Sequence, residues 1–280
     1  MVKKIIIAVL ALSLFVFLCF YNATNVNTKQ FKIREEKLVS EKIDDSCDGL
    51  LIAYFSDLAL NSFLTDEYVN EVFNTVSSFQ PDIILFGGDL LDVDDAADEN
   101  RIRLLEEGLK NLHARYGKYA VLGDQDHRNE EKITGILKES DFTLLDNQEA
   151  VIAIDSDSAF SIIGIDSLVG GHPDLTAAFS SSRASVYTIA LSHCPDIFSS
   201  VCSYDADLLL SGHSRGGQVW LPLISLFTRE DGCQKYNRGK TTKDGTMLDI
   251  TNGLGRISKD ARFMADAEIV LYTLKAVQSE

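Results

Sequence analysis

The sequence predicts an α/β fold, a four-layer α/β/β/α sandwich of two central sheets with helices on both outer faces, preceded by one N-terminal transmembrane helix. Three observations carry that prediction. In the first half of the chain, short apolar runs alternate with amphipathic stretches, the pattern of βαβ units with mostly parallel strands. The second half holds further strand-like runs, enough for a second sheet. Residues 5–21 form an uncharged apolar run of about 17 residues, the short end of what spans a bilayer.

Taken in order, that run follows Lys3 and Lys4, which place the N-terminus in the cytoplasm and the remainder beyond the membrane. No Ala-x-Ala pattern follows, and Cys19 is preceded by bulky Val16, Phe17 and Leu18, so an uncleaved anchor is expected over a cleaved signal peptide. The expected division is an anchor over residues 1–22, a short polar linker over 23–30 and one domain over 31–277. Residues 31–34 and 37–39 alternate like short surface strands, and 51–56 read as a buried strand leading to an amphipathic helix near 65–79. Strands near 82–87 and 118–122 alternate with helices near 99–115 and 130–140. Runs at 151–154, 160–165, 186–192, 208–210, 246–250 and 269–274 supply the second sheet.

Of the 280 residues, 26 are Lys or Arg and 42 are Asp or Glu, a formal charge of -16. That balance excludes nucleic acid as a partner, because phosphate neutralisation needs clustered cations. It suits a site that holds cations. Cys47, Cys194, Cys202 and Cys233 lie beyond the anchor at spacings that match no zinc pattern, and their disulfide pairing is open. Oligomeric state is not legible.

The candidate chemistry sits at strand ends. In Ser211-Gly212-His213-Ser214-Arg215-Gly216-Gly217-Gln218 a histidine follows the apolar run 208–210. Similar runs end at Asp57, at Gly87-Gly88-Asp89-Leu90-Leu91-Asp92, at Gly123-Asp124-Gln125-Asp126 and at His193. The carboxyl ends of strands in α/β sheets gather on one edge, where ligands bind. A single such acid is ordinarily a turn or a helix cap; potential ligands at five strand ends point to a metal.

These motifs resemble those of the calcineurin-like metallophosphoesterases, in particular the membrane-anchored bacterial phosphodiesterase branch with the Gly-His-Thr-His-Gly-Gly-Gln motif. The resemblance covers nearly all of the chain from about residue 31 to 274. It implies the metallo-dependent phosphatase sandwich and a site for two metal ions bridged by Asp89. Asp124, His193 and His213 would complete the second ion, and Asp57 belongs to the first.

The departures from the family pattern are specific. Ala59 stands where the family has the histidine of Asp-x-His, and Arg215 where it has the last histidine of Gly-His-x-His. Both imidazoles of the first ion are missing, and Asp57 with Asp89 is too small a ligand set for a tight transition-metal site. Gln125 replaces the histidine that assists the leaving group, and glutamine cannot transfer a proton near neutral pH. His127, two residues on, either swings into the site or stays with the following helix and solvent. His172 reads as a turn residue or a substrate contact, His113 as a solvated helix residue, and Arg256 and Arg262 as anion contacts or surface residues.

The resemblance therefore implies a metallophosphoesterase-family protein on the outer face of a membrane. It carries one divalent ion (Mn²⁺, Zn²⁺ or Fe²⁺) or none, its ligand is of phosphoester type, and its activity is weak, altered or absent. The alternative is an active single-metal phosphodiesterase or phosphatase acting on a phosphoester or pyrophosphate. Arg215 is expected to reach Asp57 or Asp89 and stand in for the first ion.

Overall fold

The computed structural model describes residues 1–94, 98–156, 158–221 and 230–277. Helix α1 (Val2–Tyr21) continues through a π-helical turn, Asn22–Val26, and a 3₁₀ turn, Asn27–Lys29, into strand β1 (Phe31–Ser40). There follow β2 (Leu51–Phe55), α2 (Asp66–Ser78), β3 (Ile83–Phe86), α3 (Glu99–Lys110), β4 (Lys118–Ala120), α4 (Asp124–His127), α5 (Glu130–Glu139) and β5 (Phe142–Leu144). The second half contains β6 (Gln148–Ala153), β7 (Ala159–Gly164), α6 (Leu175–Ala178), β8 (Thr188–Leu191), α7 (Phe198–Val201), β9 (Leu208–Ser211), β10 (Gly239–Lys243), β11 (Thr246–Ile250) and β12 (Ala267–Ala276).

The strands form two six-stranded sheets, ordered β1-β12-β2-β3-β4-β5 and β10-β11-β9-β8-β7-β6. Strands β2 to β5 run parallel, as do β7, β8, β9 and β11. Pleating sorts the core into three seams. Along β2, Ala53 and Phe55 face the seam shared with α2, α3 and α5, where Val72, Leu105 and Ile136 also lie. Ile52 and Tyr54 face the opposite sheet and meet Ile162, Leu210 and Tyr272. A strand buried on both faces has no polar side to show, which is why 51–55 reads as a continuous apolar run. The third seam packs Ile163, Ala190 and Leu209 against Phe198 and Val201 of α7.

Local signals set the elements that carry these seams. Thr65 caps α2 by accepting the Tyr68 N–H at 3.2 Å, and Asp66 and Glu67 complement the positive helix start. Tyr68, Val69, Val72, Phe73 and Val76 then recur at helical spacing and bury one stripe.

Several predicted elements are corrected. The two short surface strands at 31–34 and 37–39 are one ten-residue strand, β1, paired in parallel with β12 along its whole length. Its charged run survives because β1 is an edge strand and Arg34 turns into a buried network. Arg34 Nη1 and Nη2 donate to Asp249 at 2.8 and 3.0 Å, its Nε donates to Glu268 at 3.2 Å, and Tyr272 donates to Asp249 at 2.7 Å. This fork ties the first sheet to β11 of the second. The helix expected over 99–115 ends at Lys110, β6 starts earlier than the predicted 151, the sequence does not predict the short strands β5 and β10, and the run at 269–274, expected in the second sheet, is β12 of the first, between β1 and β2.

Residues 23–30, read from sequence as a polar linker, are folded against the domain. Ala23 and Thr28 are buried. The Arg262 N–H donates to the Ala23 carbonyl at 2.9 Å, Asn27 Nδ2 to the Arg262 carbonyl at 3.2 Å, and Arg256 Nη1 to the Thr28 carbonyl at 2.5 Å. Polar composition marked this stretch as a tether, but its backbone carbonyls meet two buried arginines. Among the described residues, one helix is long and apolar enough to cross a membrane, and its apolar side chains are exposed.

Candidate metal centre

The carboxyl ends of β2, β3, β4, β8 and β9 meet on one rim of the sandwich, and each supplies a side chain. Sharp backbone bends deliver them: Asp57, Ala59, Asp89, His213 and Arg215 all have positive φ, at 53, 42, 59, 65 and 49°. A non-glycine residue in this region costs about 1–3 kcal/mol, so neighbours must hold it. Asp126 does much of this, accepting the N–H groups of Asp89 at 2.8 Å, Leu90 at 2.9 Å and Gly123 at 2.9 Å. Two glycines are steric necessities. A Cβ on Gly88, itself at φ 93°, would lie 2.5 Å from the Gly123 nitrogen, and one on Gly212 would lie 2.3 Å from Asp57 Oδ2.

Asp89, Asp124, His193 and His213 each place a ligand atom so that all four lie within 4.8 Å of one another. His193 Nε2 is 3.3 Å from Asp89 Oδ2 and 3.2 Å from Asp124 Oδ1, and His213 Nδ1 is 2.8 Å from Asp124 Oδ1. Yet Asp124 Oδ1, His193 Nε2 and His213 Nδ1 are buried without a hydrogen-bond partner. They are close enough to bond but make no hydrogen bond, and their grouping is one that could hold an ion. The far ring nitrogens fix the tautomers. His193 Nδ1 lies 2.7 Å from the Gly87 carbonyl and His213 Nε2 2.6 Å from the Asp231 carbonyl, and a carbonyl only accepts. Both facing nitrogens are thereby left free as donors to a metal. Two imidazoles and two carboxylates suit a divalent transition ion.

Electrostatics in the ion-free chain point the same way. Burial disfavours charge on His193, but Asp89 and Asp124 outweigh it and lift its pKa well above the ordinary value. Burial also opposes charge on His213, and Asp124, followed by the Cys233 thiol, pushes it up to about 11. For Asp124, burial is again overcome, by His193 and His213, and the carboxyl is held far below the usual range. Protons on the imidazoles thus neutralise the cluster, and an incoming cation has to displace them. Asp126 behaves differently: burial and then Asp89 push it up to about 7, against the pull of the Gly123 and Leu90 N–H groups.

The other corner of the site is closed. Arg215 is buried with Nη2 2.6 Å from Asp89 Oδ2 and 3.5 Å from Asp57 Oδ1, while Nη1 donates to the His213 carbonyl at 3.1 Å. Burial opposes its charge, and Asp57 and Asp89 more than compensate, raising its pKa further. Ala59, fully buried, brings no ligand. Asp57 is held by Ser56 Oγ at 2.8 Å and by the His213 N–H at 3.0 Å. The residues of this corner do not fit a second ion, since a guanidinium already faces its two carboxylates.

Gln125 lies at the rim, with its N–H on Asp89 Oδ1 at 3.0 Å and Nε2 on Asp124 Oδ2 at 3.1 Å. His127 neither swings into the site nor faces solvent. Its Nε2 is 2.7 Å from Asp166 and its Nδ1 3.3 Å from Glu130, so it is held away from the four ligands. Asp166, which burial raises but His127 and the His172 and Ser167 N–H groups lower, is the fixed half of that pair. The His172 ring is exposed on a turn and His113 is exposed. Arg256 and Arg262 are neither surface residues nor anion contacts. Arg262 donates to the carbonyls of Ala265, Asn252, Gly253 and Gly255, and Arg256 to those of Thr28 and Phe63 and to Asp260. The cysteines are all unpaired thiols.

Sequence reasoning did not single out Asp126 as the clamp, Asp166 as the His127 partner, or Asp231 as the His213 support. Asp126 had a signal, an acid two residues after a glycine-flanked strand end. The other two contacts span 39 and 18 residues and left none.

A strand-end cation centre between two sheets, in this order along the chain, resembles that of the calcineurin-like metallophosphoesterases, and this chain is similar to curated proteins named metallophosphoesterases. No family model matches it. Curated relatives do. The uncharacterized metallophosphoesterase YkuE of Bacillus subtilis (strain 168) is 29% identical over 86% of this chain and 85% of its own length. The uncharacterized metallophosphoesterase YkoQ of the same strain is 28% identical over 95% of this chain and 98% of its own. LpxG of Chlamydia trachomatis, a UDP-2,3-diacylglucosamine pyrophosphatase, is 28% identical over 80% and 83%.

Proposed function

We propose that this protein is a membrane-anchored metallophosphoesterase-family domain that binds one divalent ion, at Asp89, Asp124, His193 and His213, and that hydrolyses phosphoesters weakly or not at all. The observation that carries this reading is the Arg215 guanidinium, 2.6 Å from Asp89 and 3.5 Å from Asp57, where the family resemblance implies a first ion. When bound, the single ion supplies Lewis acidity toward a phosphoryl oxygen. The chain's own residues supply little else for turnover. Gln125 donates hydrogen bonds but no proton, and His127 is committed to Asp166. Arg215 offsets part of the buried negative charge of Asp57 and Asp89, a structural duty that the resemblance assigns to an ion.

The anchor is residues 5–21, with Lys3 and Lys4 keeping the N-terminus inside and the domain on the outer face. The ligand is a phosphoester or pyrophosphate, as the LpxG relative's name says of that protein. The test is turnover of bis(p-nitrophenyl) phosphate with and without Mn²⁺ by the wild type and by the pair Ala59→His, Arg215→His. Low wild-type turnover that rises in the double variant supports the reading. Efficient wild-type turnover that the double variant does not raise establishes the alternative, an active single-metal phosphoesterase.

A further inference from the structure

The anchor enters the domain without slack. The apolar run ends at Tyr21, and two residues later the Ala23 carbonyl accepts the Arg262 N–H at 2.9 Å. At 1.5 Å per residue, Ala23 stands about 3 Å beyond the end of the run, whereas the headgroup layer is roughly 5–7 Å deep on each side of a hydrocarbon core of about 30 Å. The apolar run over residues 5–21 is itself only about 26 Å long. It is shorter than the core it must cross, so mismatch draws the end of the helix toward the bilayer, and any tilt draws it further. Arg262 is therefore held at headgroup depth by its bond to the helix.

Arg262 does not go there alone. The Phe263 N–H donates to the Gln218 carbonyl at 2.9 Å and the Trp220 N–H to the Phe263 carbonyl at 2.9 Å, so the loop at 218–220 is stitched to the loop at 262–264. Gln218 also reaches across with Nε2 to the carbonyls of Ile257 and Lys259, at 3.1 and 2.9 Å. The side chains beside the helix exit are apolar: Met264 is 51% exposed and Val26 37%, and Trp220 and Phe263 are partly exposed. The Arg238 guanidinium lies 4.5 Å from the Trp220 ring centroid, a cation over an aromatic face. On a domain of strong negative charge, an apolar tip backed by arginine is out of keeping with a surface meant for water. It matches the composition of the membrane interface, where tryptophan concentrates.

We infer that the domain lies moored on the bilayer, with the paired loops at 218–220 and 262–264 seated in the lipid headgroup layer beside the anchor. The inference rests on the reading of residues 5–21 as a membrane anchor, and the test separates the two. Trp220 is the one tryptophan of the chain, so the protein carries its own depth probe. The full chain is reconstituted in phosphatidylcholine and phosphatidylglycerol vesicles whose acyl chains are brominated close to the headgroup. Flotation with the vesicles reads the anchor; tryptophan emission reads the mooring. The expected result is flotation, loss of most of the emission to brominated lipid, and little quenching by aqueous iodide. Phe263→Asp with Met264→Asp should float equally well and recover emission. Flotation with Trp220 open to iodide and indifferent to brominated lipid overturns the mooring and leaves the anchor standing. Failure to float overturns both.

Discussion

The two corners of the candidate metal centre share Asp89 and have been built to opposite specifications. On one side, His193 Nε2, His213 Nδ1 and Asp124 Oδ1 lie grouped without bonding, and their buried charge is balanced only by protons. On the other, Arg215 supplies a cation that cannot leave, its Nη2 facing both Asp57 and Asp89. The first arrangement is incomplete until something binds. The second is complete in the folded chain. The contrast teaches that a guanidinium on the same loop, by its charge and planar geometry, can face two buried carboxylates where the family resemblance implies an ion.

The largest expected effect breaks the closed corner. Arg215→Ala removes the guanidinium that faces the buried Asp57 and Asp89 and should lower stability by about 3–5 kcal/mol, read from urea denaturation. Saturating Zn²⁺ or Mn²⁺ should recover more stability in that variant than in the wild type, because the vacated corner then has room for an ion. A loss within about 0.5 kcal/mol would mean that the pair is not what holds the corner.

Next comes the open corner. A divalent ion at about 100 times its dissociation constant should stabilise the wild type by about 2.7 kcal/mol, a rise in Tm of roughly 5–10 °C for a domain of this size. Chelation should reverse it. His213→Ala should remove the metal-induced rise and leave the metal-free protein folded. An unchanged rise in that variant would remove His213 from the ligand set.

The same corner has a pH signature. Because His193 is raised well above its ordinary value and His213 to about 11, ion binding must release protons across the neutral range, and affinity should increase as pH rises. Calorimetry in buffers of different ionisation enthalpy counts those protons. Binding independent of buffer would contradict the coupling of imidazole protons to the ion.

The smallest effect lies outside both corners. The His127 pKa is raised chiefly by Asp166, against its burial. A raised imidazole contributes stability that is fully present below its unfolded pKa of about 6.5 and is lost as pH rises through its higher folded value. Asp166, lowered in the fold, contributes stability present above about 3.9 and lost as pH falls through its folded value. His127→Ala should therefore cost about 1 kcal/mol near pH 5 and less near pH 9. It should leave metal affinity unchanged, which a metal-ligating His127 would not.

Asp89, Asp124, His193 and His213, which the fold brings together, were legible because each follows a strand of the sheet core, and an apolar run with an acid or histidine at its end is visible without a structure. Arg215 was legible from the same loop, since its position in the motif is where an imidazole is implied. Arg256 and Arg262 were not: Arg256 is buried by the Thr28 and Phe63 carbonyls of distant segments, and Arg262 by carbonyls that its own loop folds around it, from Asn252 to Ala265. The fate of residues 23–30 was hidden for the same reason. Strand β1 reads as two because Glu35 and Glu36 interrupt its alternation, and only its partner β12 shows that an edge can carry them. His127 was left between two positions, since its partner Asp166 follows β7 on the other sheet.

The central claim is a count. Purified protein dialysed against Mn²⁺ or Zn²⁺ and measured by inductively coupled plasma mass spectrometry should hold one ion per chain, and Ala59→His with Arg215→His should raise it to two. Two ions per wild-type chain would contradict the account, because Arg215 would then not occupy the first position; so would none at any pH, because the four grouped ligands would then not form a site.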